Sequence, residues 1–347
     1  MTFLQRVMAG LFLLALLPGM AVSAQDAAAP QSFALTGISH IWQGWNNCGP
    51  ATLTMGLTYF GLNADQYPAA GWLKPNGEDK NVSPWQMAAY VNTEVAPSAQ
   101  ALVRQGGTLE QIKLLVSNGF PVLIEAGYDP ESDDQGWMGH YLLVIGYDDS
   151  RSMMITHDSF LGPNREYSYD YIDTYWRHFN RVFIVLYEPA RLSELNVLLG
   201  PDADERQNYA NALEEARQEA VANPQDPFAW FNMGTNFVAL GMNNEAATAF
   251  DQARNVGGGL PWRMLWYQFG PFEAYYAVGR YQDMLDLAQR NLTDGGGQYV
   301  EETFYYAGLA RAALGETDRA IDNFNQAIWF NPNFTPASAA LAEAEGA

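Results

Sequence analysis

Trp42-Gln43-Gly44-Trp45-Asn46-Asn47-Cys48-Gly49-Pro50-Ala51 holds the single cysteine of the 347 residues and stands before a stretch that reads as a helix, Ala51 to Phe60. Asn47 is a favoured N-cap residue, and Pro50 is tolerated in a first turn. Leu53, Leu57 and Phe60 then share one helix face, with Gly61 placed to stop it. A thiol at a helix N-terminus is a better nucleophile than a free one, because exposed backbone N–H groups favour its ionised form. Catalysis by Cys48 would need two further things: a base to hold the thiolate as an ion pair, and donors for the oxyanion of a tetrahedral intermediate. Gln43 is a candidate donor together with the backbone N–H of Cys48. Without such a role it is an ordinary surface residue.

The rest of the composition narrows the setting. With 18 basic against 39 acidic residues and a formal net charge of -21, the chain is a poor partner for nucleic acid or an anionic membrane surface. The first residues read as an export signal: Arg6, the apolar run Val7 to Leu17, and small residues Val22-Ser23-Ala24 before Gln25. The expectation is an extracellular or cell-envelope protein cleaved after Ala24, with an uncleaved anchor as the alternative. No later segment is apolar for long enough to suggest a span. An unpaired cysteine in an exported chain is a candidate reactive thiol, with a buried inert thiol as the plain alternative.

Along the chain, residues 25–35 read as a flexible N-terminus and Leu35 to Trp42 as a short strand. Asn63 to Asn81, rich in Pro and Gly, reads as irregular. Helices are expected from Ser83-Pro84 to about Glu94, and from Leu109 to Asn118 behind a Thr108 cap. Strands are expected at Pro121–Ala126, Tyr141–Tyr147, Met153–Thr156 and Val182–Tyr187. That order predicts an α+β domain over residues 36–190, helical half first. A junction and helix follow over 191–225. From 226 to 347 the sequence repeats: Trp230, Gly234, Phe237, Gly241, Ala246, Phe250 and Ala253 are echoed by Phe304, Ala307, Gly308, Gly315, Ala320, Phe324, Ala327 and Pro332. The spacings are those of the 34-residue tetratricopeptide repeat, an all-α array, and Tyr275, Gly279 and Ala288 mark a degenerate middle copy.

Four histidines compete for the role of base. His40 lies close to the motif in sequence, and His178 sits in an aromatic turn where packing is expected. His140 opens one strand of an expected hairpin, and His157 ends the other next to Asp158. Side chains alternate faces along a strand, so His157 and Asp158 point opposite ways. An odd hairpin loop places Asp158 opposite Leu142, on the face of His140 and within diagonal reach; an even loop places it on the wrong face. Asp158 would then orient His140 as the acid of a triad does. The alternative is a turn-forming aspartate. The acidic loop with Asp129, Glu131, Asp133 and Asp134 lacks the glycine and terminal glutamate of a calcium loop, and no His/Cys cluster has zinc spacing, so no metal or cofactor is expected.

Gln43, Asn47-Cys48-Gly49-Pro50-Ala51, Gly139-His140-Tyr141 and Asp158 together resemble the bacteriocin-processing-type cysteine peptidases, which have a papain-like fold. The resemblance spans about Thr36 to Pro189. It implies Cys48 as nucleophile, His140 as base, Asp158 as orienting acid and Gln43 as oxyanion donor, acting on a peptide or protein substrate. The repeats are expected to bind a protein partner. Known members are fused to membrane-spanning ATP-driven exporters; this chain shows no such spans and no phosphate-binding Gly-Lys-Ser/Thr loop, so their substrate does not transfer. An exported peptidase, an amidase or acyl transferase on the same fold, and an inert peptide-binding module all remain open from the sequence.

Overall fold

The computed structural model describes residues 29–129, 136–293 and 297–346. The expected export signal and all of the acidic loop but Asp129 lie outside the described residues. The first part of the chain runs β1 (Ser32–Ala34), α1 (Cys48–Thr58), α2 (Tyr67–Leu73), α3 (Pro84–Tyr90), β2 (Gln100–Arg104), α4 (Leu109–Ser117), β3 (Val122–Tyr128), β4 (Met138–Asp148), β5 (Met153–Asp158), β6 (Gly162–Ser168), α5 (Tyr169–Trp176), β7 (Phe183–Tyr187), α6 (Leu192–Leu199) and α7 (Glu205–Ala222). The strands form one antiparallel sheet in the order β2-β7-β3-β4-β5-β6, with β1 pairing to β4.

The central strands β3, β4 and β7 read as nearly unbroken apolar runs because both of their faces are covered. Alternation still sorts their side chains. Leu123, Leu143, Ile184 and Leu186 join Leu53, Met55 and Met87 of α1 and α3 in one core. Val122, Ile124, Leu142, Val144 and Val185 join Ile112, Leu115, Trp176 and Leu195 of α4 to α6 in the other. Each such side chain withdrawn from water stabilises the fold by about 1.5–3 kcal/mol.

Thr108 caps α4 as expected, its Oγ1 accepting from Gln111 N–H at 3.1 Å. Leu35 to Trp42 is not a strand. Only Ser32–Ala34 joins the ladder, and the following residues are drawn across the end of β5, where His40 Nε2 donates to the Asp158 carbonyl at 2.8 Å and Gln43 N–H to the Ser159 carbonyl at 2.9 Å. The Pro/Gly-rich stretch after Asn63 contains α2, with Pro68 in the first turn, where a missing N–H costs nothing. The junction after Pro189 likewise contains α6, whose Leu195 and Leu199 enter the second core. The edge strand β6, Gly-Pro-Asn-Arg-Glu-Tyr-Ser, is largely exposed and has no apolar alternation to betray it.

The repeat region forms three helix pairs, α8 (Pro227–Ala239) with α9 (Asn243–Asn255), α10 (Gly270–Ala277) with α11 (Tyr281–Thr293), and α12 (Glu301–Ala313) with α13 (Thr317–Phe330), followed by α14 (Thr335–Gly346). In each pair the first helix ends at a glycine with left-handed φ, Gly241, Gly279 and Gly315, so the middle copy keeps the turn although its sequence has drifted.

The array does not hang on a tether. Asn208 of α7 exchanges hydrogen bonds with the backbone of Gln105 (2.8 and 2.9 Å), and Asn180 and Asn236 pair their side-chain amides. Asn331 and Asn333, beyond α13, donate to the carbonyls of Leu73 and Trp72 in α2. Residues 256–269, between the first two pairs, reach back to the sheet: Arg263 Nη1 donates to the Trp137 carbonyl at 3.1 Å and Gln268 Nε2 to the His178 carbonyl at 3.0 Å. The first helices of the repeats therefore look onto α2 and α3, and apolar residues of both regions share one continuous core.

Candidate active site

α1 begins at Cys48 itself, so the sulfur stands at the first helical residue, half-buried. Asn47 occupies the N-cap position but does not cap. Its side-chain amide donates instead to Gln66 Oε1, which also accepts from Gly44 N–H at 2.9 Å, while Gln66 Nε2 donates to the Trp42 carbonyl at 2.8 Å. One buried glutamine from the loop before α2 thus holds the whole Trp42–Asn47 turn. Nothing in the spacing of Asn63 to Gln66 singles it out in the sequence.

α1 is tied to β4 beside the site by Thr52 Oγ1, which donates to the Tyr141 carbonyl at 3.2 Å. This puts the thiol at the His140 end of β4, close enough for each group to shift the ionisation of the other. The other end of the imidazole is fixed: His140 Nε2 donates to Asp158 Oδ1 at 2.9 Å, leaving Nδ1 for Cys48. Asp158 is wholly buried and saturated with donors. Oδ1 also accepts from the N–H groups of Phe160 (2.8 Å) and Leu161 (3.0 Å), and Oδ2 from Tyr167 Oη–H at 2.7 Å. Asp158 therefore bonds His140 and closes the turn that follows at the same time.

The register that brings Asp158 to His140 arises differently from the sequence expectation. Asp148 pairs with Met153, so the hairpin loop holds an even number of residues; but the ladder shifts between Val144 and Gly146. The extra residue, Ile145, reverses the parity, and Asp158 faces Leu142 on the His140 side. An even loop needed a bulge to give the outcome of an odd one.

Electrostatics follow from these contacts. Burial pushes the Cys48 thiol up, but its hydrogen bond and charge interaction with His140, with help from the Tyr141 and Gly49 backbone, leave it below the ordinary thiol value. Burial alone would depress His140; its bonds to Asp158 and Cys48 raise it instead to about 10. Burial likewise acts against the Asp158 charge, and His140, Tyr167 and the Leu161 N–H outweigh it, holding the carboxyl well below the usual range. The geometry favours a thiolate–imidazolium pair with a permanent anion behind it.

Gln43 is placed by Ser159, the neighbour of Asp158: Ser159 Oγ–H donates to Gln43 Oε1 at 2.8 Å, in addition to the backbone bond above. Its oxygen is thereby engaged, and among the described residues its Nε2 makes no hydrogen bond. The other histidines are accounted for. His40 holds the loop to β5 and stacks edge-on against Trp42 and His157, while His157 Nδ1 accepts from Asn164 N–H at 3.2 Å. His178 stacks on Phe228 with ring centres 3.7 Å apart and accepts from Trp137 Nε1; burial, then the charge of Arg177, depress it to about 3, so it packs the seam as a neutral ring.

Two groups near the thiol carry no sequence signal. Glu125 of β3 is buried; loss of water raises its carboxyl well above the usual range, partly offset by a hydrogen bond to Tyr141, and the charge on Cys48 adds to the rise. Tyr267, from the segment between the repeats, packs against Gly139 and also feels the Cys48 charge. A Cβ on Gly139 would lie 2.8 Å from the Phe179 ring and 3.1 Å from Tyr267, so a glycine before His140 is what lets the repeat region approach this closely. Among the described residues no cluster of three or more His, Cys, Asp or Glu is arranged to hold a metal.

An antiparallel α+β domain with the thiol on its first long helix and the imidazole on a central strand, followed by helical repeats, defines the class: a papain-like peptidase-type domain joined to a repeat array. Comparison with known families agrees. Residues 31–187 match the Peptidase_C39 like family, and residues 302–333 match a tetratricopeptide repeat. A search of curated proteins finds no match.

Proposed function

We propose that this protein is a thiol-dependent hydrolase of peptide or amide bonds. The observation that carries the reading is the placement of Cys48, at the start of α1, beside His140, whose Nε2 donates to the buried Asp158. The Cys48 thiolate adds to a substrate carbonyl carbon, and the negative charge moves to the carbonyl oxygen, where Gln43 Nε2 and the Cys48 backbone N–H are the available donors. Collapse expels the leaving amine, which takes the proton held by His140, and leaves an acyl-cysteine. His140 then draws a proton from water, hydroxide adds to the acyl carbon, and the acid departs as the thiolate re-forms and His140 is again protonated. Asp158 keeps the imidazole in the tautomer and orientation that both steps need.

The same geometry serves an amidase or acyl transferase, which differs only in leaving group and acceptor. A structure that spends four donors on keeping Asp158 ionised favours either of these over an inert module. The exported setting belongs to the same reading and rests on the Arg6 to Ala24 pattern; N-terminal sequencing of the protein recovered from the cell envelope or medium tests it, with Gln25 expected first.

The activity is tested with an electrophilic acyl-enzyme probe on the purified protein, using Cys48→Ala and His140→Ala as controls. Labelling of the parent is expected to exceed that of a model thiol by about 10²-fold or more at neutral pH, consistent with general-base activation. Labelling no faster than a model thiol, or unchanged by His140→Ala, would remove the enzyme reading.

A further inference from the structure

Between the two regions lies a cavity of about 620 Å³, bounded on one side by α2 and α3 and on the other by the first helices of the repeats. Its size suits a few residues of a peptide. Trp72 and Trp85 come from the catalytic domain, Tyr267 and Tyr305 from the repeats, so the walls are aromatic. Three carboxylates, Glu125, Glu273 and Glu302, line it, and the lining contains no lysine or arginine.

Two of its polar atoms are orphans. Glu302 Oε2 and Gln105 Oε1 are buried without a hydrogen-bond partner, on residues each 5 % exposed. Both atoms are acceptors. A buried carboxylate oxygen is ordinarily paired, as both oxygens of Asp158 are, so an unpaired one on a cavity wall is a place for a donor that arrives from outside. The charged groups around Glu302 do not relieve it: Glu301 and Asp79 are also acidic, Glu301 accepts from Asn331 and Gln86 and Asp79 from Asn81 N–H, and Lys74 Nζ donates to the Gly77 carbonyl.

We propose that this cavity binds a lysine or arginine side chain of a peptide, with Glu302 and Gln105 accepting its N–H groups and the tryptophans packing its methylene stem. An aromatic wall suits such a cation on its face as well as its stem. Two lining residues adjoin the site: Tyr267 packs against Gly139, the residue before His140, and Glu125 pairs across the sheet with Tyr141, the residue after it, so a peptide anchored there runs toward the thiol. This rests on the proposed hydrolase reading for the fate of the peptide, not for its binding. It names the substrate class as segments containing a basic residue, and it assigns the repeats a share of the recognition site. The net charge of -21 draws such segments in from a distance.

The test uses the full chain carrying Cys48→Ala, so that binding is read without turnover. Acetylated and amidated hexapeptides with a central Lys, Arg or norleucine in an Ala/Leu background are titrated by calorimetry, with the small amine agmatine as a separate arm. The Lys and Arg peptides are expected to bind at least about tenfold more tightly than the norleucine peptide, the scale of one charge-assisted hydrogen bond. Glu302→Gln is expected to remove most of that preference, and Gln105→Met part of it, while leaving the norleucine peptide unaffected. Equal binding of basic and norleucine peptides, no binding of any peptide, or agmatine binding as tightly as the peptides would each overturn the proposal. Should a variant fail to fold, the Lys against norleucine comparison on the parent decides alone. Failure here with fast probe labelling would leave the hydrolase intact, and binding with slow labelling would do the reverse.

Discussion

The corner around Cys48 and the seam between the domains both bury carboxylates, and they treat them in opposite ways. Asp158 receives four hydrogen bonds and faces an imidazolium, so it stays ionised although no water reaches it. Asp79, Glu301 and Glu302 are also buried, but fewer donors reach them: Asn81 N–H on Asp79, the Asn331 and Gln86 amides on Glu301, and none on Glu302 Oε2 among the described residues. They face one another, and loss of water raises all three above the usual carboxylate range. Burial alone does not decide charge. The number of donors pointed at the group does, because each donor replaces part of the lost hydration. One region has its carboxylate fully committed before any ligand arrives; the other leaves acceptors unspent.

The sharpest way to break this contrast is to remove the anion behind His140. In Asp158→Asn the imidazole loses its reason to stay protonated and the Cys48 thiol rises toward its ordinary range. The expected result is a fall of about 10²-fold or more in alkylation rate at pH 7, and loss of the thiolate absorbance near that pH. A rate within threefold of the parent would mean that Asp158 only shapes the turn. Asp158→Ala adds a stability cost of about 3–5 kcal/mol in urea unfolding, since it strands a buried cation.

A middle-sized effect is expected from Gln66→Leu. The substitution keeps the volume but leaves Gly44 N–H and the Asn47 amide without their acceptor and the Trp42 carbonyl without its donor, which costs about 1–3 kcal/mol. Because these groups set the turn leading into Cys48, turnover is expected to fall by about tenfold while simple alkylation of the thiol changes little. An equal fall in both would show that the turn positions the sulfur itself rather than the oxyanion donors.

The smallest effect separates the two regions by pH. Glu302 has its folded value raised above its unfolded one, so its protonated form favours the fold at low pH and that contribution is lost as pH rises through the folded value. Asp158 has the opposite sign: its contribution is present above the unfolded carboxylate value and is lost as acid drives pH down through the folded one. His140, raised to about 10, contributes fully below about 6.5 and loses that contribution as pH rises through about 10. Glu302→Gln is therefore expected to be at least as stable as the parent at pH 8, with a margin of about 1 kcal/mol that shrinks toward pH 5. Paired thermal melts measure it, and a margin independent of pH would show that Glu302 is charged throughout.

How much of this was legible in the sequence differs from residue to residue. Cys48 stood out as the single cysteine before a helix, and Thr108 and the repeat glycines announced their turns, because caps, turns and close helix packing are local requirements met by few residue types. Asp158 was legible as a partner only through alternation along a strand, and that argument depended on a loop parity which the fold contradicts and a bulge at Ile145 restores. Gly146, a glycine inside the strand run, is the residue that signals such a bulge, and the alternation argument took no account of it. Gln66 was not legible, since a glutamine in a polar loop looks the same whether it faces solvent or organises a turn. Nor was the approach of Tyr267 to the thiol, which needs the repeats to fold back over the sheet.

The sequence by itself determined which elements form and which chemistry is available: a nucleophile at a helix start, an imidazole on a strand, an acid beside it, and a helical repeat. These follow from period, caps and residue type, each settled within a few turns of chain. Tertiary structure decided which of four histidines meets the thiol, that the acid is held charged, and that the repeats close a cavity against the peptidase-like domain rather than project from it. Those outcomes depend on groups far apart in the chain sharing one interior, where the count of donors around a buried acid, and not its identity, sets its charge.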